Sequence, residues 1–463
     1  MNNEIKLKEI FSKYDQSPSI CDFSLIDDCS ININSSRKNQ IVFYKNHNDE
    51  KSVSLFESRL EKVSPGLIVL TNKPKNKIEH PFVVVGESDF LEVQKKTLEV
   101  LFPVNKFPQI LAITGTNGKT TTAFLLMQLL NQKNKMAGFV GTTGVYVNDK
   151  KIDHSFTTTS PGLIDFWKIN YQNQELGYLC IEASSHALDQ KRFYGFKFSN
   201  VAFTNITRDH LDYHENFENY FEAKRKILSY LDEHGRCFVI DTEEEIFNKL
   251  NDKRAALVSK IEPDSTQPFF SVDFNQKNLG VAVALAKSVL GEEVSFDYSL
   301  LAPPNGRLDI TSFGDSNLGI VDFAHTPDAV ENVLSEVKKG FPDHVIKVVF
   351  GCGGNRDKKK REEMGEIVSA LSSNFVITND NPRDEDPESI VQDILPGVIK
   401  GADYQIELDR KKAIEDSISS MNKREILLIL GKGHEDYQLV KGVKTYFSDK
   451  EVLLSAIKNK NEN

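Results

Sequence analysis

The sequence of 463 residues contains little cysteine and no long apolar run. Its five cysteines are scattered, odd in number and without CxxC spacing, which argues against a zinc ribbon or a disulfide scaffold and predicts a reducing cytoplasm. No apolar run approaches the roughly 18 residues that a membrane span needs. The first residues lack the apolar core of a secretory signal. We therefore expect a cytoplasmic protein without a membrane span.

Positive charge is also scarce, because 57 Lys and Arg stand against 67 Asp and Glu, a net charge of −10. A mildly acidic chain is not a general binder of nucleic acid or of anionic membranes, although a local basic site remains compatible with it. Hydrophobic residues are 39% and charged residues 27%, which argues against wholesale disorder. We expect a folded monomer with no nucleic-acid partner.

The order of apolar and polar segments predicts three domains. Residues 1–102 carry short apolar runs typical of a small α/β unit. Over residues 103–302 apolar strands alternate with helical patterns, which predicts parallel βαβ units. The proline pair Pro303-Pro304 marks a linker, after which the alternation restarts over residues 303–463.

A phosphate-binding loop is predicted after the apolar strand 110–114. The segment Gly115–Thr121 reads Gly-Thr-Asn-Gly-Lys-Thr-Thr and leads into a helical run. Glycines let backbone N–H groups close on phosphate oxygens, Lys119 would reach the β- and γ-phosphates, and the Thr120 hydroxyl would bind Mg²⁺. The loop is shorter than the usual eight-residue pattern, since Ile113 replaces its first glycine. The alternative is an ordinary strand-to-helix turn.

Acidic and histidine side chains follow the next two predicted strands. Glu182 ends one of them, and Asp209–His214, with two Asp and two His, follows the other. Because ligands of open α/β sheets bind beyond the carboxyl ends of the strands, both segments predict a metal or acid–base site. The alternatives are a helix-capping carboxylate and histidines with ordinary loop contacts.

Lys224 lies on the apolar stripe of a helix predicted over Phe217–Leu231. At 3.6 residues per turn it shares that stripe with Phe221 and Leu228. Burial lowers the pKa of an amine, and a neutral amine can react with CO₂. The residues alone nevertheless favour a snorkelling lysine, whose stem is packed while its ammonium reaches water.

Together these motifs resemble the Mur ligases, the ATP-dependent amino-acid ligases of peptidoglycan precursor synthesis. The resemblance covers about residues 110–440, and its segments occur in the family order: Gly115–Thr121, Glu182–His186, Asp209–His214, Tyr220–Arg225, Asn305–Arg307 and Asp322–Ala329. It implies an α/β protein of three domains: a small N-terminal α/β domain for the UDP substrate, a central P-loop ATPase-like domain with a parallel sheet for ATP, and a C-terminal Rossmann-like domain for the amino acid.

The resemblance also implies roles for individual residues. Lys224 matches the lysine that the family carbamylates with CO₂, which reverses the interpretation that its own surroundings favoured. The implied catalytic residues are Lys119, Glu182, His210 and Lys224. The implied ligands of two Mg²⁺ ions are Thr120, Glu182, His210 and the Lys224 carbamate. The implied ATP contacts are Gly115, Thr116, Asn117, Gly118, Lys119, Thr120, Thr121, Asn305, Arg307, Asp322 and His325. The implied contacts to a UDP-N-acetylmuramoyl-dipeptide are Ser36, Thr158, Thr159, Ser184, Gln190 and Arg192.

Three polar loops, 350–358, 378–383 and 430–437, follow strands of the third domain, and we expect them to form one pocket. They resemble the family members that add meso-diaminopimelate as the third stem-peptide residue. The residues implied in binding it are Arg356, Asp380, Asn381, Pro382, Arg383, Gly431 and Glu435. Arg383 can bind the far carboxylate of diaminopimelate through two parallel hydrogen bonds, whereas lysine would present only a cation there. The alternative is a surface ion pair of Arg383 with Asp384 or Glu385.

The implied reaction transfers the γ-phosphate of ATP to the D-glutamate carboxylate of UDP-N-acetylmuramoyl-L-alanyl-D-glutamate. The diaminopimelate amine then attacks the acyl phosphate, and ADP and phosphate are released. Such a reaction would serve cell-wall biogenesis, and through it cell shape and division. Three alternatives stay open: an L-lysine-adding ligase, a ligase similar to folylpolyglutamate synthase, and a nucleotide-binding regulator without ligase activity.

Overall fold

The computed structural model describes residues 3–14, 21–47, 49–152, 158–263, 267–314 and 316–462. Within these ranges the strands form sheets of four, eight and six strands and a separate two-stranded hairpin. Most neighbouring strands of the three larger sheets are parallel, and helices connect them. The mixed α/β class with parallel sheets, which the sequence predicted, is confirmed.

The N-terminal unit is a four-stranded parallel sheet in the order β1-β2-β3-β4. Its elements are α1 (Asn3–Phe11), β1 (Asp28–Ser30), β2 (Gln40–Tyr44), α2 (Glu50–Leu60), β3 (Leu67–Leu70), β4 (Phe82–Val84) and α3 (Glu87–Leu101). Strand β3 is buried along its whole length, as expected for an apolar run in a sheet that is covered on both faces.

The central unit is an eight-stranded sheet in the order β12-β11-β10-β5-β9-β6-β7-β8. Its elements are β5 (Gln109–Thr114), α4 (Lys119–Asn131), β6 (Ala137–Gly141), β7 (Gly144–Val147), β8 (Lys150–Ile152), α5 (Leu163–Gln172), β9 (Tyr178–Glu182), α6 (Ser185–Asp189), β10 (Phe198–Phe203), α7 (Leu211–His214), α8 (Phe217–Arg225), β11 (Leu231–Ile240), α9 (Glu244–Leu250), β12 (Ala255–Val258) and α10 (Asp273–Leu290). The strands from β12 to β6 are parallel, and β7 and β8 extend the sheet as an antiparallel hairpin that the sequence did not predict.

The helix predicted over Phe217–Leu231 is wrong in its length. Helix α8 ends at Arg225, a 3₁₀ turn follows, and Leu231 already begins β11. Ile227 and Leu228 stay buried within the 3₁₀ turn, so the apolar stripe continues past the end of the α-helix. Because 3.0 and 3.6 residues per turn differ little over a single turn, the stripe could not mark where the α-helix ends.

The C-terminal unit is a six-stranded sheet in the order β13-β14-β18-β15-β16-β17, in which only the β13–β14 pair is antiparallel. Its elements, with the hairpin β19–β20, are β13 (Asp309–Phe313), β14 (Asn317–Asp322), α11 (Pro327–Gly340), β15 (Val345–Phe350), α12 (Lys359–Leu371), β16 (Asn374–Ile377), α13 (Pro387–Ile394), β17 (Tyr404–Ile406), α14 (Arg410–Ser419), β18 (Glu425–Leu430), β19 (Tyr437–Val440), β20 (Val443–Tyr446) and α15 (Asp449–Glu462).

The segment between the central and C-terminal sheets is tied to the central unit. The side chain of Gln128 on α4 donates to the Ala302 carbonyl and accepts from the Ala302 N–H, both at 2.9 Å. Buried apolar residues of both units also belong to one continuous cluster. The linker therefore has a defined path past the phosphate-loop helix.

All five cysteines are free. No helix in the described ranges is both long enough and apolar enough to cross a membrane.

Candidate active site

The loop between β5 and α4 needs glycine at both of its ends. Gly115 has φ +147° and Gly118 has φ +82°, a region that side chains disfavour. A Cβ atom would also meet the Thr204 hydroxyl at Gly115 and the Asn278 amide at Gly118. A glycine loop of this kind, running into a helix N-terminus, is the usual arrangement for binding phosphate through backbone N–H groups.

The side chain of Asn205, just beyond β10, fixes the backbone of this loop. Its Oδ1 accepts from the Asn117 N–H at 2.9 Å, and its Nδ2 donates to the Asn117 carbonyl at 3.2 Å. The Thr204 hydroxyl donates to the same carbonyl at 2.6 Å. We did not single out Asn205 from the sequence, because its partner lies 88 residues away.

Replacing Asn205 by alanine is expected to raise the KM for ATP about tenfold to thirtyfold, as measured by ADP release. Two hydrogen bonds of about 1 kcal/mol each would be lost from the loop backbone. The matched control is Asn200→Ala on β10, whose amide binds Ser288 and the Arg236 N–H instead. An equal increase in both variants, or none in Asn205→Ala, would contradict this role.

Two lysines share one backbone acceptor in the loop. Lys119 Nζ donates to the carbonyls of Gly115 at 3.0 Å and Thr116 at 2.7 Å. Lys224 Nζ donates to the same Gly115 carbonyl at 2.6 Å. The structure thus brings together the two lysines that were predicted from segments more than a hundred residues apart.

Lys224 is buried rather than snorkelling. Its side chain is 1% exposed and its ammonium lies 4.5 Å from the centre of the Tyr220 ring. Burial, and then the positive charge of Lys119, hold the pKa of Lys224 well below its usual value, while the charge of Asp209 partly opposes them. Among the ion pairs of the described residues, none involves Lys224. A buried amine without a carboxylate partner favours the neutral, nucleophilic form.

Burial also lowers the pKa of Lys119, and the neighbouring Arg307 of the linker lowers it further, while Glu182 opposes this effect. Negative phosphate groups in the loop would raise the pKa of Lys119 again, since they favour the charged ammonium. The lysine of the loop is therefore placed where it gains most from a phosphate ligand.

Glu182 ends β9 and is 1% exposed. Its Oε1 accepts from the Thr142 N–H at 2.7 Å and its Oε2 from the Thr142 hydroxyl at 3.0 Å. A Cβ at Gly141 would collide with this carboxylate, so glycine is needed there. Thr142 was not predicted as a site residue, although it orients a predicted metal ligand.

His210 belongs to a cluster of aromatic and imidazole rings. It has φ +52°, directly precedes α7 as its N-cap residue and lies with its ring centre 4.9 Å from that of His186. The His214 ring is buried and forms a hydrogen bond of 3.0 Å with Ser185. Burial lowers the pKa of all three imidazoles, which favours the neutral form that binds metals.

Four of the predicted UDP-substrate residues are joined through Ser160. The Arg192 guanidinium donates to Gln190 Oε1 at 2.8 and 3.0 Å, to the Ser160 carbonyl at 2.7 Å and to Thr158 at 3.3 Å. The Ser184 hydroxyl lies 3.2 Å from that of Ser160. These side chains form one polar surface beside the ends of β9 and α6.

A fifth predicted substrate residue, Thr159, links this surface to the predicted metal ligand. Its hydroxyl lies 3.3 Å from that of Thr142, and the Thr142 hydroxyl donates to Glu182.

Ser36 stands apart from these residues. It follows a 3₁₀ turn in the N-terminal unit, is buried, and donates its hydroxyl to the Ile33 carbonyl at 3.0 Å. That unit is joined to α5 by Lys168, which binds Asp28 at 2.5 Å and the Cys29 carbonyl at 2.7 Å. The contact fixes the unit beside the central sheet without bringing Ser36 into the polar surface.

The predicted ATP residues of the linker are placed by a buried carboxylate. Asp322, at the end of β14, accepts from the N–H groups of Leu308 at 2.7 Å and Ala324 at 2.8 Å. Burial raises the pKa of Asp322. The Arg307 guanidinium stacks over the Phe323 ring at 4.8 Å. Asp322 thus positions the linker through backbone contacts.

The other two residues of this set, Asn305 and His325, lie at the surface of the same segment. Asn305 is exposed, and the His325 ring Nδ1 lies 2.7 Å from the Phe323 carbonyl. Both are therefore available to a ligand at this junction.

His434 is a residue of the domain junction that was not selected from the sequence. Its ring packs against Phe323 with centres 4.9 Å apart, and it faces the Thr142 backbone of the central unit. Burial, and then Arg307 and Lys151, lower the pKa of His434 to about 3. A Cβ at Gly306 would meet the His434 N–H, so this glycine lets the linker pass. The C-terminal sheet is therefore closed onto the phosphate-loop side of the central sheet.

The three polar loops of the C-terminal sheet meet at one place. The Asn381 amide donates to Glu435 at 2.8 Å and accepts from the Leu439 N–H at 2.9 Å. Asp380 is buried, which raises the pKa of its carboxyl, and it lies against Gly431. Pro382 lies so close to Gly354 that a side chain there would collide with it. Residues from all three loops therefore converge at one place.

Arg383 lies half-buried among these loops and is not a surface ion-pairing residue. Its Nη1 donates to the carbonyls of Gly354 at 2.7 Å and Asn381 at 3.4 Å. Glu385 pairs with Arg361, and Asp384 accepts from Asn355. No ion pair of Arg383 occurs within the described ranges, so its charge remains available to a ligand. Arg356 is exposed beside it, against Gly353.

A buried ion pair fixes the strand ends that carry these loops. Arg410 donates to Asp449 at 2.8 and 2.7 Å, and to the carbonyls of Asn379 and Leu430 at 3.2 and 3.0 Å. The ends of β16 and β18 are thereby held together beneath the pocket.

Comparisons with known families agree with this geometry. Residues 113–305 match the Mur ligase middle domain, and residues 306–433 match the Mur ligase glutamate ligase domain. A protein of Aquifex aeolicus, named UDP-N-acetylmuramoyl-L-alanyl-D-glutamate–2,6-diaminopimelate ligase, is 38% identical over 400 residues, covering 80% of this chain and 82% of its own. A Helicobacter pylori protein of the same name is 36% identical, with 74% and 83% covered.

Solved structures resemble the whole chain in fold. A UDP-N-acetylmuramoyl-L-alanyl-D-glutamate–2,6-diaminopimelate ligase aligns with a TM-score of 0.58 and 25% identity, covering 95% of this chain and 96% of its own. The MurF ligase of Thermotoga maritima in complex with ADP aligns with a TM-score of 0.60, 14% identity and coverage of 95% and 98%, which shows a shared fold.

Proposed function

Since the chain belongs to the Mur ligase family, we propose that it joins meso-2,6-diaminopimelate to UDP-N-acetylmuramoyl-L-alanyl-D-glutamate at the expense of ATP. The convergence of three polar loops around the unpaired Arg383 is the single observation that carries this choice of amino acid. The five free cysteines fit the cytoplasmic setting that we propose for the reaction.

ATP would bind across the junction of the two larger sheets. The backbone of Gly115–Thr121 would receive its phosphates, and Lys119 would neutralise the β- and γ-oxygens. Arg307, Asn305 and His325 come to the same place from the linker and the end of β14. Asp322 would act indirectly, because its carboxylate is occupied by backbone N–H groups of this segment.

The residues at the loop fit two Mg²⁺ ions only when phosphates and a carbamate are included. Within the described ranges, no three His, Cys, Asp or Glu side chains form a ready metal site. Thr120, Glu182 and His210 would each supply one ligand, and ATP would supply phosphate oxygens. Mg²⁺ would offset the charge that develops during phosphoryl transfer.

Lys224 fits the formation of a carbamate. It is buried, forms no ion pair within the described ranges, and its lowered pKa favours the free amine. Its neutral nitrogen would form an N–C bond with CO₂ and release one proton, so that the amine becomes a carbamate anion. The new anion would lie beside Lys119 and offset its charge.

The UDP substrate would present its terminal D-glutamate carboxylate to the γ-phosphate of ATP. Thr158, Ser184, Gln190 and Arg192 form the polar surface next to Glu182, and we propose that they hold the muramoyl-dipeptide portion. Thr159 would join them. Phosphoryl transfer would depend mainly on positioning and charge neutralisation by groups fixed in advance.

Ser36 does not present a free hydroxyl to the proposed substrate site. Its hydroxyl is occupied by Ile33, so a UDP contact there would require exchange of that hydrogen bond. We propose that the N-terminal unit holds the uridine diphosphate, with Ser36 at its edge.

The amino acid would bind in the space between the three loops. Arg383 would hold the far carboxylate of diaminopimelate and Arg356 the other carboxylate. Glu435 and the Gly431 carbonyl would accept from an ammonium group, and Asp380, Asn381 and Pro382 would shape the pocket. The free amine would then displace phosphate from the acyl phosphate, forming the amide bond.

The proposed activity is tested by ATP-dependent ligation with meso-diaminopimelate and L-lysine in parallel, using UDP-N-acetylmuramoyl-L-alanyl-D-glutamate as the acceptor. We expect ADP and the diaminopimelate product, with little turnover of lysine. A preference for lysine would overturn the proposed pocket. ADP release that no amino acid stimulates would instead indicate a nucleotide-binding regulator, and ligation of glutamate to a folate would indicate a ligase similar to folylpolyglutamate synthase.

A further inference from the structure

Lys432 is a fully buried lysine directly behind the amino-acid pocket, and the proposed function gives it no role. Its side chain is 0% exposed and it follows β18, next to Gly431. A buried ammonium is costly unless its surroundings compensate for the lost water. The groups around this ammonium therefore indicate what Lys432 contributes to the site.

The ammonium of Lys432 joins two of the three pocket loops. Its Nζ donates to Asn381 Oδ1 at 3.3 Å and to Glu435 Oε2 at 3.4 Å, and lies 3.8 Å from Asp380 Oδ1. The ring of Tyr437 lies on another side, with its centre 5.5 Å from Nζ. Three of the four neighbours are side chains of the proposed diaminopimelate site.

We propose that Lys432 is a positioning residue for the amino-acid substrate, holding Glu435 and Asn381 in the orientation that receives a substrate ammonium group. The inference rests on the proposed function of this pocket. The Asn381 amide also donates to Glu435 at 2.8 Å, which closes a triangle of hydrogen bonds. Glu435 is the member that reaches the open side, because it is 21% exposed while Lys432 is fully buried.

Removing the Lys432 charge would leave Arg410 as the cation that acts on Asp380, and would take from Glu435 the ammonium that it contacts at 3.4 Å. Two neighbouring carboxylates repel each other, and the more exposed one can turn toward water. Glu435 would then no longer be fixed where a substrate ammonium arrives. The phosphate loop lies on the other sheet, so ATP binding should be unaffected.

Lys432→Met is expected to raise the KM for meso-diaminopimelate about tenfold or more. The kcat and the KM values for ATP and for the UDP substrate should change less than about threefold. A merely structural role would not affect one substrate alone. Lys432→Gln, whose amide NH₂ group can still donate hydrogen bonds, should give a smaller increase and serves if the methionine variant does not fold.

The matched control is Lys347→Met. Lys347 on β15 pairs with Glu425 on β18 at 2.7 Å, and both side chains are nearly as buried as Lys432, being 11% and 8% exposed. This pair lies in the amino-terminal halves of β15 and β18, whereas the pocket loops follow the carboxyl ends of these strands. The control loses a buried ion pair of the same sheet, so its KM for diaminopimelate should stay within twofold of the wild-type value.

The outcomes separate this inference from the proposed function. Wild-type ligation with a selective increase of the diaminopimelate KM in the Lys432 variants would support both. Wild-type ligation with equal effects in the Lys432 and Lys347 variants, or loss of folding in both Lys432 variants alone, would overturn the positioning role and leave the ligase intact. A wild-type protein that ligates no diaminopimelate would overturn the proposed function and this inference with it.

Discussion

Replacing Lys224 by alanine is expected to lower the kcat for ligation at least about a thousandfold, which corresponds to about 4 kcal/mol of lost transition-state stabilisation. The variant lacks the amine that would carry the carbamate, so one anionic ligand of the proposed magnesium site disappears. Lys119 would also lose the nearby negative charge of the carbamate. A steady-state ligation assay measures the effect.

The structure accounts for so large an effect from one side chain. Lys224 and Lys119 bind the same Gly115 carbonyl, at the point where the phosphate loop begins. A change at Lys224 therefore acts directly on the loop that would hold ATP. The adjacent Lys226 offers a matched control, since it is half-exposed and pairs with Asp189 outside the loop. Lys226→Ala should retain activity within about twofold.

Carbamylation has a readout that does not depend on turnover. Protein equilibrated with ¹³C-bicarbonate should show one carbamate carbon resonance, which Lys224→Ala should lack and Lys226→Ala should retain. A short-chain carboxylic acid added to Lys224→Ala should restore part of the activity by supplying the missing carboxylate. An active Lys224→Ala variant, or a carbamate signal that persists in it, would contradict the proposed modification.

The position of Lys224 also shows what could be predicted from sequence alone. The 3.6-residue stripe placed it on the buried face, and the structure confirms that burial. The same stripe gave a wrong helix end, because it continues through the 3₁₀ turn. Its own surroundings in sequence favoured a snorkelling lysine, since nothing local showed that the buried face leads to the Gly115 carbonyl.

Residues that act through distant partners were missed for the same reason. Asn205 fixes a loop 88 residues earlier in the chain, and Thr142 orients Glu182 across 40 residues. Lys432 was visible in a glycine-rich segment, but only the folded sheet brings it to Asn381. The phosphate loop, in contrast, was predicted because its glycines, lysine and threonine are consecutive and their spacing encodes the conformation.

The antiparallel additions to the sheets were missed for a different reason. Strands β7 and β8 are short and partly exposed, so they lack the continuous apolar runs that identified the buried parallel strands. The hairpin brings Lys151 toward His434 of the C-terminal unit. The position of this hairpin beside the junction depends on the fold of the whole sheet and is not encoded by a local sequence pattern.

Replacing Arg383 by alanine is expected to raise the KM for meso-diaminopimelate by two to three orders of magnitude and to remove the preference over L-lysine. Charge-assisted hydrogen bonds contribute about 1.5–3 kcal/mol each, and two of them at about 1.5–2 kcal/mol, the lower part of that range, cost about 3–4 kcal/mol when lost. Lysine has no carboxylate at its far end, and removing the arginine also removes a repulsion toward its ammonium. Parallel ligation assays with both amino acids give the ratio.

Arg424 provides the control for this experiment, because it shares the unusual backbone of Arg383. The two arginines have φ +58° and +53°, so alanine would strain both positions in the same way. Arg424 is exposed and precedes β18, at the opposite end of the sheet from the pocket. Arg424→Ala should therefore keep the wild-type preference for diaminopimelate. If both variants lose affinity equally, backbone strain rather than carboxylate binding explains the loss. If Arg383→Ala keeps its preference, the far carboxylate is bound elsewhere, and Arg356 becomes the first residue to test.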